Sequence, residues 1–385
     1  MTIFEALAIS DSERIHTQTL AWILKLNNKI FPQEEKIKFL NNLLSPDQSL
    51  TNINKIYVET EIKNIDLFIQ CDNVQFIIEN KLKSSEHSNQ TNRYSAQNAI
   101  PEKFRGDNIK RHYGFLSLIE DSPQNEDWYI ITYQQLHIHL KEIEWSNKEN
   151  TEITFIEEYV NTLNNLVSAF NEFNNSPFEF PNVFTDASLP KYNKQRYNNY
   201  HQDYIRKNNL ETIFQKSLMK KIANKLKSNY DVKIEDTNGN ALIQVNNIYS
   251  IVFNGKTFFI NFQMQISTVN FSFKINIQKE NYNNSKKNEL IDHLENAFIR
   301  TFYNNNQYSK NNPSKKLAYH SVSKLVSINS FNTIDSIVSS IKYEIKFIQN
   351  NKKNFYHKCL PLNFTANLLV VWPNGRRLTP ISFQH

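Results

Sequence analysis

The 385-residue sequence is short of the residues that build several familiar sites. Its 5 glycines are too few for a glycine-rich phosphate loop, and neither GxxxxGK[ST] nor GxGxxG occurs. That argues against a self-contained nucleotide motor and against a dinucleotide-binding enzyme. Two cysteines, Cys71 and Cys359, cannot make a disulfide framework or a cysteine-rich zinc site; they are expected as single buried thiols in a reducing compartment. HExxH and zinc-spaced cysteine or histidine sets are also missing. No apolar run approaches the roughly 18 residues of a membrane span. The first residues, MTIFEALAISDSERIH, carry acids and no basic start, so a signal peptide is not expected either. These absences predict a soluble, cytoplasmic protein without a membrane partner.

What is present is packing material. Hydrophobic residues make up 39% and aromatics 13%, enough to bury cores over a length that suits about two domains. The mean hydropathy of −0.58 reflects a surplus of asparagine, a compositional bias without functional content. With 44 basic and 38 acidic residues the net charge is +6, which permits contact with nucleic acid without demanding it.

Helical periodicity runs over 11–26 and 34–44, the second ending at Ser45-Pro46. The period then changes to that of strands at 55–61, 65–70 and 75–81, with residues 71–74 as a hairpin turn. A polar helix over 84–98, strands at 112–118 and 128–132, a short helix at 134–143 and a long amphipathic helix at 152–173 complete an αβββαβ order. This predicts a 1–175 domain of the α/β class, followed by a 176–200 linker or irregular connection. A 201–385 α+β region follows, with helices over 210–227, 287–303 and 333–349. Strands are expected there at 241–245, 248–254, 257–266 and 270–278, turning at 238–240 and 254–255, with a late strand at 367–372. Its aromatic residues, Tyr249, Phe253, Phe258, Phe259, Phe262, Phe271 and Phe273, read either as core or as a target-selecting or partner-docking surface.

The chemistry concentrates between residues 61 and 81. Asp66 lies on one expected strand and Glu79-Asn80-Lys81 ends the next, so the hairpin brings Asp66 and Glu79 side by side. Alternation puts Glu79 and Lys81 on one face and Asn80 on the other. Two hard oxygen ligands suit Mg²⁺, which keeps several waters and takes one or two carboxylates plus a substrate phosphate. A lysine beside them can orient or help deprotonate an attacking water.

At these residues the sequence resembles the PD-(D/E)xK nuclease superfamily, most closely its PDDEXK_4 subfamily. The resemblance is carried by Glu13-Arg-Ile-His16 with Leu20-Ala-Trp22, by Val58-Glu-Thr-Glu61, by Ile65-Asp66 and by Ile77-Ile-Glu-Asn-Lys81. Gln90-Thr-Asn-Arg-Tyr94, Tyr113-Gly-Phe-Leu116 and Trp128-Tyr-Ile-Ile-Thr-Tyr133 extend it over roughly 4–145. It implies a restriction-endonuclease-like mixed sheet flanked by helices, with Asp66 and Glu79 as metal ligands and Lys81 acting on water. It also implies hydrolysis of nucleic-acid phosphodiesters, most simply DNA, with Mg²⁺ or Mn²⁺. Ile65 stands where the family name has proline. By the same resemblance Glu61 and Glu13 are further acids of the site, and similar enzymes that cut both strands often act as dimers. A setting in restriction or phage defence, with a partner protein of such a system, is an analogy.

Around this centre Gln90 and Tyr94 share a helical face that can hydrogen-bond phosphate or the carboxylates. Arg93, with Lys83, Lys103, Arg105, Lys110 and Arg111, makes the following region basic. His16 lies three residues from Glu13 and is a candidate substrate contact or, equally, a packing histidine. The competing reading is an inactive nuclease-fold module that binds nucleic acid or a protein.

Overall fold

The computed structural model describes residues 1–44, 50–82, 86, 89–96, 99–106, 108–119, 122–146, 150–184, 200–237, 240–253, 256–267, 269–279, 289–303, 307–310, 319–359 and 369–371. They fall into two units, the first made of Met1–Pro177 and Gln195–Phe214, the second of Phe178–Lys194 and Gln215–His385.

The first unit begins with three helices, α1 (Ile3–Ala6), α2 (Glu13–Lys25) and α3 (Gln33–Leu44). Glu13 in its first turn and Lys25 in its last suit the dipole of α2, which buries His16, Thr17, Leu20, Ile23 and Leu24. Two hairpins follow. β1 (Ile56–Ile62) and β2 (Ile65–Cys71) are joined by Lys63-Asn64, both left-handed at φ 50 and 68, the backbone that matches strand twist in a two-residue turn. β2 turns at Asp72-Asn73 into β3 (Val74–Lys81), and the Asp72 carboxylate accepts the Asn54 and Lys55 amides at 2.8 and 3.1 Å.

The short helix α4 (Gln90–Ser95) then precedes β4 (Lys110–Ser117) and β5 (Tyr129–Thr132). β1, β2 and β3 pair antiparallel, whereas β4 and β5 are parallel to β3, giving a mixed sheet in the order β1-β2-β3-β4-β5. Thr132 and Gln135 form a capping box that starts α5 (Tyr133–Lys141); α6 (Thr151–Asn175) and α7 (Tyr200–Lys207) pack together beyond it. One face of the sheet carries a core of Ile65, Phe68, Ile77, Tyr94, Ile100, Phe115 and Trp128. The α/β expectation with helices flanking a mixed sheet holds. Of the helix expected over 84–98, Gln90–Ser95 is helical. Residues 83–85, 87–88 and 97–98, Lys83 among them, and 185–199 of the expected linker lie outside the described residues.

The second unit takes most of α8 (Glu211–Lys227) and an antiparallel sheet of β6 (Val232–Thr237), β7 (Asn240–Phe253), β8 (Lys256–Ser267), β9 (Asn270–Lys279), β10 (Ser309–Lys310), β11 (Tyr319–Ser327) and β12 (Leu369–Val371). α9 (Glu289–Phe302), α10 (Ile334–Asn350) and α11 (Lys352–Cys359) complete it. The separate strands expected at 241–245 and 248–254 are one strand, β7. A bulge between Val245 and Tyr249 absorbs Asn246-Asn247, with Asn247 left-handed at φ 49 and the Asn246 amide donating to Asp231 O at 2.8 Å. The expected turn residues 238–239 and 254–255 lie outside the described residues. Tyr249, Phe258, Phe262, Phe271 and Phe273 are buried and serve as core, while Phe259 is half-buried. Both cysteines are buried, and burial pushes each thiol up to about 12.

Candidate active site

Strand register assembles the acids. β2 and β3 pair through Leu67↔Ile78, and one step further sets Asp66 opposite Glu79. The ladder ends there, leaving the amide of Asn80 for the Asp66 side chain, whose Oδ2 accepts it at 2.7 Å. On the other edge of β2, β1 pairs through Thr60↔Leu67 and Ile62↔Ile65, which sets Glu61 opposite Asp66. Glu61 is left-handed at φ 58, a conformation that non-glycine residues adopt rarely and that marks a constrained position. Glu13 reaches over from α2, its Oε1 accepting the Leu82 amide at 2.7 Å. Glu13, Glu61 and Asp66, with Arg14, Thr17, Gln18 and Thr60, line a cleft of about 160 Å³.

Glu79 lies beneath them with no exposed surface, and Lys81 is nearly as buried. Lys81 Nζ sits 2.6 Å from Glu79 Oε1. Neither Glu79 oxygen receives a well-directed hydrogen bond, so Oε1 is held by charge and Oε2 is an unanswered buried acceptor among the described residues. Burial, and after it the charge of Asp66, push the Glu79 carboxyl up to about 7 against the pull of Lys81. Asp66 is raised as well, by burial, although the Asn80 amide and Lys81 act the other way. Burial alone would lower Lys81; the charges of Glu79, Asp66 and Glu13 outweigh it and raise the ammonium. The site holds its lysine charged and its carboxyls reluctant to ionise.

That state fits a divalent cation. An orphaned buried carboxylate oxygen and an all-oxygen donor set are what Mg²⁺ or Mn²⁺ takes, and a cation would return Asp66 and Glu79 to their ionised forms. Among the described residues no three acidic, histidine or cysteine side chains gather into a closed metal cage. The arrangement therefore suits a cation that keeps waters and shares its shell with a phosphate.

Asn80 is the residue whose part could not be read from its spacing. From the opposite face of β3 its Nδ2 donates to Glu13 O at 2.9 Å and Thr17 Oγ1 at 3.1 Å, and its Oδ1 accepts from Tyr133 OH at 2.8 Å. One side chain thus ties the strand carrying Glu79 and Lys81 to α2 and α5. Gln90 Nε2 lies 3.4 Å from Tyr94 OH, and the phenol is raised chiefly by burial, the charges of Glu79 and Asp66 adding to the rise. Arg93 is exposed and lies over the Tyr94 ring at 5.6 Å.

The substrate-contact reading of His16 is corrected. The ring is fully buried, Nδ1 is 3.1 Å from Tyr159 OH, Nε2 is 2.9 Å from Ser10 O, and Tyr133 meets it edge-on at 5.1 Å. Burial lowers it to about 4, leaving a neutral packing histidine that no substrate reaches.

Residues 1–161 match the family model of the PD-(D/E)XK nuclease superfamily, a family of nucleases that generally use divalent metal ions. No curated protein and no solved structure matches the chain. Among the described residues no helix is long and apolar enough to cross a membrane.

Proposed function

We propose, with the superfamily match of residues 1–161 as premise, that the first unit is a divalent-cation-dependent nuclease centred on Asp66, Glu79 and Lys81. DNA is the expected substrate and Mg²⁺ the expected cation, with Mn²⁺ as a substitute. The observation that carries the reading is Glu79: a buried carboxylate, opposed to a second one, with an unanswered oxygen and a lysine at 2.6 Å. A purely structural acid would be saturated with hydrogen bonds at this depth.

Asp66 and Glu79 would hold the cation, with Glu13 and Glu61 at the margin of the same cleft. When bound, the cation supplies Lewis-acid polarisation of the scissile phosphoryl group and eases deprotonation of the attacking water. Lys81, kept charged by its acidic neighbours, offsets the negative charge that grows on the phosphoryl oxygens and orients the water through Nζ. Asp66 is oriented by the Asn80 amide. The Asn80 side chain is a positioning group, because it fixes the strand end against α2.

The test is cleavage of supercoiled plasmid, linear duplex, single-stranded DNA and RNA by the purified full chain with Mg²⁺ or Mn²⁺. Glu79→Gln and EDTA serve as controls. Cleavage abolished by both supports the reading and names the substrate. A wild type that binds nucleic acid but cuts nothing with either metal would transfer support to a binding module.

A further inference from the structure

The rim of the cleft carries one side-chain cation to which the reading above gives no part. Arg14, in the first turn of α2, lines the cleft with Glu13, Thr17, Thr60, Glu61 and Asp66. Its Nε lies 3.1 Å from Glu61 Oε1. Both side chains face water, at 66% and 54% exposure, so the pair belongs to the weak, easily exchanged class of ion pairs. Lys81, buried against Glu79, has no such freedom.

Charge gives the exchange a direction. Among the described residues four acids gather at or beneath the cleft, Glu13, Glu61, Asp66 and Glu79, with Lys81 paired to Glu79 and Arg14 to Glu61. A phosphodiester entering such a cleft is repelled unless a cation turns toward it. Arg14 is the exposed one, and a guanidinium fork suits phosphate oxygens at least as well as it suits a carboxylate. Glu61, opposite Asp66 by register and held at φ 58, has its backbone anchored at the cleft edge, and its side chain lines the cleft.

We propose that the Arg14–Glu61 ion pair is a latch exchanged by substrate: Arg14 leaves Glu61 for a phosphodiester oxygen, and the released carboxylate turns to the cation beside Asp66. The identity of the substrate rests on the nuclease reading; the competition between Arg14 and a cation for Glu61 does not. Nucleic acid and cation are then positively coupled, each raising the affinity for the other by the same factor.

The experiment titrates Mn²⁺, followed by electron paramagnetic resonance, into the metal-free full chain and into Arg14→Ala, both checked for folding by circular dichroism. Without nucleic acid, Arg14→Ala is expected to bind Mn²⁺ about fivefold more tightly, because Glu61 no longer has a competing partner. In Ca²⁺, the same variant is expected to bind a fluorescein-labelled DNA oligonucleotide about tenfold more weakly, with a salt slope smaller by about one. Glu61→Gln provides the mirror image: looser Mn²⁺ binding, and tighter metal-free binding of the oligonucleotide. Unchanged or weakened Mn²⁺ binding in Arg14→Ala, or unchanged oligonucleotide binding, overturns the latch. A wild type that binds Mn²⁺ and cuts no nucleic acid defeats the nuclease reading instead, and the Mn²⁺ titrations still decide whether Arg14 competes for Glu61.

Discussion

Among the described residues, a lysine–glutamate pair of the same length lies largely out of water in each unit, and the two are opposite in character. Lys81 and Glu79 meet at 2.6 Å in the first unit, Lys324 and Glu344 at 2.6 Å in the second. Glu344 is completed by its surroundings: Tyr308 OH donates to Oε2 at 2.8 Å, and Lys324 Nζ both bonds Oε1 and lies 5.0 Å over the Tyr308 ring. Glu79 has a second carboxylate facing it and no donor for Oε2 among the described residues. Distance and burial are nearly equal, so neither separates a structural pair from a candidate reactive one. Unfinished hydrogen bonding and a like charge alongside do separate them.

The sharpest way to break the comparison is to remove each lysine. Lys81→Met is expected to lower cleavage by about 10³-fold with the protein still folded, while Lys324→Met leaves the cleavage rate unchanged; initial rates on one DNA substrate decide it. Stability should run the other way. Glu344→Ala removes the carboxylate that Lys324 and Tyr308 share and is expected to destabilise the protein by about 3–5 kcal/mol, read from urea midpoints.

Acidity sharpens the contrast inside the first unit, where Glu79 and His16 pull in opposite senses. Glu79, raised from 4.5 to about 7, contributes stability below about pH 4.5 that is lost as pH climbs to 7. His16, lowered from 6.5 to about 4, contributes stability above pH 6.5 that is lost as pH falls toward 4. Each effect is on the order of 3 kcal/mol, and in the metal-free wild type the two oppose each other between pH 4.5 and 6.5. His16→Gln should uncover a decline with rising pH and Glu79→Gln a decline with falling pH, measured as denaturation midpoints from pH 4 to 8. The smallest effect belongs to Tyr308→Phe: loss of one donor to Glu344 is expected to cost about 1 kcal/mol of stability, again without touching cleavage.

Much of the first unit was legible because its central strands are short apolar runs bounded by turn residues, with β3 buried along its whole length. The hairpin over 65–81 follows from two such runs and a turn at Asp72-Asn73, and the juxtaposition of Asp66 and Glu79 follows from the register alone. His16 was not legible, since its neighbours Ser10, Tyr133 and Tyr159 come from three separate stretches of chain. The roles of Asn80 and Tyr133 were hidden for the same reason: a hydrogen bond between residues 53 positions apart leaves no local pattern. In the second unit, Asn246-Asn247 looked like a break because asparagine favours turns, yet a single left-handed residue let the strand continue. Arg14 reads as an ordinary exposed helix residue until Glu61 is placed beside it.

The two amides at the end of β3 set a scale for the cleft. Asn80 N holds Asp66, and Leu82 N holds Glu13. These anchors stand two residues apart, Asn80 next to last in β3 and Leu82 just past its end, about 7 Å by the rise of an extended backbone. Peptide geometry is therefore the ruler against which two of the acids are placed, and repacking of side chains around them leaves its length alone. What would change it is a slip of β3 by one residue, which would exchange the faces of the strand and put Asn80 where Glu79 and Lys81 now stand. Drift in the core should detune this site gradually, whereas an error of registry should erase it in one step.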